Sequence, residues 1–250
     1  MPIKAEVRGA QSWYYDTVTQ ERVAGFLPVS FYDDFIGPAL TTPPLMGTAE
    51  AGVPWVRKLQ GTGTTAPAAV GNTGNSINGL VRCTIGTEAE KAEATLHQND
   101  ARSWTLGQGV VMEMKVTPTV LPTGTARLIF GLAGTWKDDP MALERSVWFR
   151  VGTNGTLFAE SDDNVTDTSG DTGIRLGTAD TAIYRIDTTS LGTIRFYKDG
   201  ADITPTGTSF PYTGSSANAQ MQPYFSVYKS GSTTVATLDV DYCRLWQKRS

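Results

Sequence analysis

Apolar and polar residues alternate in short runs along most of the chain. In GVVMEMKV, residues 109–116, strand geometry sends Val110, Met112, Met114 and Val116 to one side and Val111, Glu113 and Lys115 to the other. Period-two runs also occur at 31–36, 79–85, 92–97, 126–132, 146–151, 155–159, 182–187, 193–198, 220–228 and 235–246. Turn residues separate them: GTNG at 152–155 and KDG at 198–200 tolerate the positive φ that tight hairpins require. Helical periodicity is scarce. Its best stretch, TEAEKAEA at 87–94, has helix formers but no apolar stripe. The pattern predicts an all-β protein, a sandwich or jelly roll.

Two kinds of segment break the alternation. Residues 37–54 and 61–78 are small, polar and loop-like, long enough to be functional or to pack on a neighbour. Residues 1–30 precede the first clear strand and carry Trp13, Tyr14, Tyr15 and Phe26. Large aromatics need cover, so this extension is either a strand folded back on its own domain or an arm docking on another subunit. The expected division is an arm over 1–30 and one β-sandwich domain over 31–250.

Composition narrows the function. A chain of 250 residues fits one large β domain better than two. A net charge of −4, with no local basic run, argues against nucleic acid as a partner, because phosphate contacts need a basic footprint. No apolar run approaches the roughly 18 residues of a membrane helix, so no membrane partner is expected. The opening MPIKAEVRGAQSWYYD has early charges and no apolar core, unlike a signal peptide. Cys83 lies beside Val81 and Ile85 in the alternation and reads as a buried thiol; Cys243 is far along the chain. One histidine, His97, with two distant cysteines makes no zinc site, and no metal or other cofactor is expected.

Three segments in order carry a resemblance. DDF at 33–35 opens the regular part. IRFYKDGADI at 194–203 is a strand, a Lys-Asp-Gly turn and a return strand, and ATLDVDYCRLWQ at 236–247 is a long terminal strand. The arrangement resembles the concanavalin A-like lectin and glucanase superfamily, its laminin-G-like jelly rolls in particular. The resemblance covers about residues 31–250 and implies a jelly-roll sandwich of two large antiparallel sheets, one convex and one concave. In a looser way, the Thr/Gly/Ala-rich loops and the arm-then-jelly-roll layout are similar to tailed-phage capsid decoration proteins.

The glucanase resemblance has a chemical test. Laminarinase-type members carry a Glu-x-Asp-x-Glu run on one strand, and retention needs two carboxyls about 5 Å apart. Laid on this chain, the first acid falls on Glu113, the second on Lys115 and the third on Thr117. The acid pair is missing, and hydrolysis is not expected. The acidic run ESDDNVTDTSGD at 160–171 is rich in the oxygen ligands calcium takes but lacks EF-hand spacing; it is either a calcium loop or, the favoured expectation, a solvated loop. Outward positions of successive strands include Glu113, Lys115, Arg127, Trp148, Arg150, Arg185, Arg195 and Tyr197, set against a buried series that includes Leu128, Phe130, Val147 and Phe149. Such a face is either covered by loops or a neighbour, or is a glycan platform of aromatics and arginines.

The leading expectation from these residues is a non-enzymatic virion protein that cements a phage capsid. Its arm (Trp13, Tyr14, Tyr15, Phe26) would dock on the major capsid or other virion proteins and on copies of itself in a homo-oligomer. The alternative is a carbohydrate-binding or receptor-binding module that contacts glycan through Trp148, Arg150, Arg185 and Glu113. A glycan hydrolase stands third.

Overall fold

The computed structural model describes residues 3–8, 11–16, 29–35, 54–61, 65–69, 79–212 and 219–248. Eighteen strands are described: β1 (Ile3–Arg8), β2 (Gln11–Asp16), β3 (Val29–Asp33), β4 (Val56–Gln60), β5 (Thr65–Ala69), β6 (Val81–Ile85), β7 (Ala92–His97), β8 (Trp104–Thr105) and β9 (Val111–Val120). They continue as β10 (Ala126–Ala133), β11 (Ser146–Val151), β12 (Thr156–Asp162), β13 (Asp167–Arg175), β14 (Ala182–Asp187), β15 (Arg195–Lys198), β16 (Ala201–Asp202), β17 (Gln220–Lys229) and β18 (Ala236–Gln247). The described helices are single 3-10 turns, and none is long and apolar enough to cross a membrane. The helix formers at 87–94 run into β7 instead of making a helix.

Two eight-stranded antiparallel sheets form the sandwich. One runs β16-β15-β14-β9-β18-β6-β5, with β3 also on β18. The other runs β13-β12-β11-β10-β17-β7-β4, with β8 also on β17. A separate hairpin pairs β1 with β2 and holds Trp13, Tyr14 and Tyr15 at register positions opposite Glu6, Ala5 and Lys4. Phe26 lies outside the described residues. The jelly-roll expectation is met.

Alternation builds the core between the sheets. Met112, Met114 and Val116 of β9 are sealed, as are Leu128, Phe130 and Leu132 of β10 and Val147, Phe149 and Val151 of β11. Phe130, Phe149, Tyr184, Phe196 and Phe210 meet in a chain with ring centroids 5.0–5.5 Å apart, mostly edge to face. Cys83 and Cys243 are both buried and free, and burial pushes both thiols up from the ordinary range.

The two sheets differ on their outward faces. Strand β14 alternates sealed and accessible positions, with Ile183 39% exposed. Strands β7, β10, β11 and β17 are sealed on nearly both sides. Something therefore covers the second sheet from outside.

Both turns expected to need positive φ have it. Asp199 and Gly200 close the β15–β16 hairpin at φ of 49° and 81°. Asn154 and Gly155 turn β11 into β12 at 59° and 71°. A Cβ on Gly155 would stand 2.2 Å from the carbonyl oxygen of Leu176, in a left-handed conformation that side chains resist. Gly155→Ala is expected to lower unfolding free energy by roughly 3 kcal/mol, read as a shifted urea midpoint. An unchanged midpoint would show that this turn relaxes freely.

Candidate functional site

The outward face of the β7-containing sheet is polar and aromatic. Strand period places Glu93, Thr95 and His97 of β7 there, with Gln222, Tyr224, Ser226 and Tyr228 of β17. Across β10 the row continues with Trp148 and Arg150 of β11 and Phe158, Glu160 and Asp162 of β12. The register aligns His97, Tyr224, Gly131, Trp148 and Glu160 in one line across five strands. Gly131 sits at its middle, where a Cβ would come within 2.6 Å of the Trp148 Cα. With no side chain between them, the Trp148 and Tyr224 rings stack at 6.1 Å.

The cover is the segment 134–145, which joins β10 to β11 and folds back over this face. Leu143 and Trp136 pack on Ile129, Ala133, Trp148 and Tyr224, forming a second apolar cluster outside the main core. Hydrogen bonds tie it down. The Trp136 indole N–H donates to Glu93 Oε1 at 2.9 Å, and its backbone N–H to Asp100 Oδ1 at 2.8 Å. Gln222, fully buried, donates through Nε2 to Gly134 O at 2.8 Å and to Asp100 Oδ1 at 2.7 Å. Lys91 pairs with Asp138 at 2.7 Å, and the Lys58 ammonium lies 4.6 Å from the Trp136 ring centroid.

Two titratable groups are trapped beneath this cover. Glu93 is fully buried, and burial raises its carboxyl to about 7 despite donors from Thr95, Trp136 and Tyr224. His97 is equally buried, and burial lowers its imidazole to about 4 against the pull of Asp100. Glu93 Oε2 and His97 Nε2 have no hydrogen-bond partner among the described residues.

At the β12 end the cover leaves a cleft of about 220 Å³, lined by Met141, Leu143, Ser146, Trp148, Arg150, Glu160, Asp162, Asp167 and Ser169. Glu160 organises its floor. Its Oε1 accepts from Arg150 Nε at 2.7 Å and Ser169 Oγ at 2.7 Å, and its Oε2 accepts from Trp148 Nε1 at 2.9 Å. The Arg150 guanidinium also lies over Phe158, 4.3 Å from the ring centroid. Asp162 is raised from the ordinary carboxyl range, by burial first and then by Asp167, Asp163 and Glu144, while the Asn164 N–H opposes the shift.

Trp148 and Arg150 are together in this cleft, but Glu113 and Arg185 belong to β9 and β14, on the opposite outer face of the sandwich. The expected four-residue contact set is thus corrected: it divides between two sheets, because period two tells which side of its own sheet a residue takes, not which sheet. Glu113 accepts from Tyr242 at 3.0 Å and pairs with Arg244 at 2.9 Å; Lys115 pairs with Asp241 at 2.5 Å; Arg185 lies over Tyr197 at 4.0 Å. Trp148 is outward as expected but only 3% exposed, under Leu143, so its ring offers no open stacking surface.

Glu160 and Asp162, part of the acidic run, both belong to β12 and share a side. Extending the alternation of 155–159 by three residues would have placed them beside Arg150. The rest of that run is used locally. Asp163 accepts from the backbone of Val165 and Thr166, and Asp171 pairs with Arg175 at 2.9 Å. Among the described residues no cluster of three or more His, Cys, Asp or Glu side chains could hold a metal ion.

The carboxyl geometry bears on hydrolysis. Glu93 and Glu160 are separated by four strand spacings, roughly 19 Å measured along the sheet at about 4.8 Å per spacing. Retention needs about 5 Å and inversion about 6.5–9.5 Å, so these two acids are no catalytic pair. Glu160 and Asp162, two residues apart on one strand, are the acids the face brings close.

No protein-family model matches the chain, and no curated protein matches it. Solved structures do. A β-1,3-glucanase from Mycobacterium marinum is similar with a TM-score of 0.54 and 14% identity, covering 86% of this chain and 97% of that one. A glycosyl hydrolase family protein from Mycobacterium fortuitum gives 0.52 and 18%, covering 86% and 98%. An immunostimulatory antigen and pseudo β-1,3-glucanase of Mycobacterium tuberculosis gives 0.53 and 18%, covering 88% and 98%. These neighbours overturn the capsid-decoration expectation: they are glucanase and glycosyl hydrolase proteins, and the arm-plus-loop layout that suggested a virion carried no diagnostic residues. The chain has the concanavalin A-like jelly-roll fold that the β-glucanases share.

Proposed function

We propose that this protein is a carbohydrate-binding domain that grips a glycan in the Arg150–Glu160–Asp162 cleft without cleaving it. The Arg150–Glu160 pair carries the reading. Arg150, Ser169 and Trp148 fix the Glu160 carboxylate from both oxygens, so donors and acceptors are pre-set on a cleft floor. Sugar hydroxyls, which both donate and accept, suit such an array. The fold shared with β-glucanases supports it, and the three donors on Glu160 make it a structural charge more than a free nucleophile.

Ser169 is exposed at the cleft mouth, and Ser169→Tyr fills the space while leaving the charges in place. Wild-type protein is expected to bind neutral β-glucan oligosaccharides in isothermal titration, and Ser169→Tyr to weaken binding at least about tenfold. Failure of the wild type to bind any glycan, neutral or acidic, on an array would sink the reading.

One observation favours hydrolysis as a second reading: the Glu160-x-Asp162 spacing, with Asp162 raised toward proton-donor behaviour. Reducing-end release from β-glucans by the wild type, abolished in Asp162→Asn, would establish it in place of the first.

A further inference from the structure

We propose that a second pocket, on the far side of Leu143, receives an anionic substituent of the bound glycan, either a uronate carboxylate or a sulfate ester. The pocket has a volume of about 160 Å³ and, like the cleft, uses Leu143 as a wall, so the two are adjoining compartments. Their charges are opposite. The cleft offers Glu160, Asp162 and Asp167 with one arginine; the pocket offers Arg102, Lys137 and Arg145 with one acid, Glu144.

That acid is already engaged, since Lys137 Nζ lies 2.6 Å from Glu144 Oε1. Arg102 and Arg145 make no ion pair or side-chain hydrogen bond among the described residues. Two guanidinium groups without a salt bridge thus line one pocket, Arg145 acting on Glu144 only through its charge, and each presents a fork that matches carboxylate or sulfate oxygens.

The pocket is a built feature, assembled from segments distant in sequence. The turn carrying Arg102 is stitched to the cover through Asp100, whose Oδ1 accepts from the Trp136 backbone and from the buried Gln222. Gln222 also holds Gly134, and the Gly134 N–H donates to Arg145 O at 2.9 Å, which brings the second arginine alongside. A glycan crossing Leu143 from the cleft would thus set its next residue against two guanidinium groups carried on segments that these bonds hold together.

This inference rests on the glycan-binding reading, and the test separates the two. Matched oligosaccharides (neutral, uronate-bearing and sulfated) would be titrated into wild-type protein and into the Arg102→Gln/Arg145→Gln double variant. The acidic ligands should bind the wild type at least about tenfold tighter than the neutral one, with the preferred acid identifying carboxylate or sulfate. The double variant should lose that preference while keeping neutral binding, its fold checked by circular dichroism. Equal wild-type affinity for neutral and acidic ligands would overturn the anion pocket and leave the cleft reading standing. A retained preference in the folded double variant would also overturn it. Binding of no ligand at all would end both.

Discussion

Glu93→Gln should gain about 3 kcal/mol of stability relative to wild type as pH rises from 4.5 to 7, and His97→Asn should lose about as much from pH 4 to 6.5. The Glu93 carboxyl stands at about 7 in the fold against 4.5 for an exposed glutamate. Between those values the folded state holds a proton that the unfolded chain has released, so stability is full below 4.5 and falls as pH climbs through 7. His97 runs the other way. It stands at about 4 against 6.5, so the unfolded chain binds a proton that the folded state refuses, and stability falls as pH drops below 6.5. In the wild type the two slopes oppose each other and largely cancel. Each single variant removes one slope, and the double variant restores the balance. Urea denaturation at several pH values reads this directly, with background titration common to all four proteins. Parallel profiles would show that neither group is buried as described.

Glu160→Ala should cost about 3–5 kcal/mol, the largest loss expected of any substitution in the cleft. The Arg150 and Glu160 side chains are 14% and 7% exposed, so their pairing is largely shielded from water. Removing the carboxylate strands the Arg150 charge near Arg127, which burial and Arg150 already lower from the usual arginine range. It also strips an acceptor from the Trp148 indole and the Ser169 hydroxyl. Arg150→Leu/Glu160→Leu should recover much of the loss, because two apolar residues leave no uncompensated charge. A double-mutant cycle in denaturant measures the coupling. If the single and double variants are equally unstable, packing and not charge governs the site.

Strand positions were legible from alternation and turn residues. β7, β11 and β14 fall on their expected residues, and the Asp-Gly and Asn-Gly turns locate the hairpins. What covers a strand's outer face was not legible. Nothing local in AEATLH says that Glu93, Thr95 and His97 lie under a lid, because the lid comes from residues 134–145. β5 and β13 lie in stretches read as loop, since small or acidic residues paired at a sheet margin leave little hydrophobic signal. The site suffered most from sheet assignment. Glu113 and Trp148 are both outward, but pairing partners far along the chain decide that they look in opposite directions.

Ala133 and Ser146 are register partners at the ends of β10 and β11, and the whole cover departs and returns between them. Topologically it is an insertion at the tip of a hairpin that would otherwise close by a short turn. No strand order or core contact between the sheets depends on its length. The part of the molecule that divides the groove into an acidic and a basic compartment is therefore separable from the part that makes it fold. Replacing this loop would change a wall of each compartment while leaving the strands that carry Arg150, Glu160 and Asp162 in place.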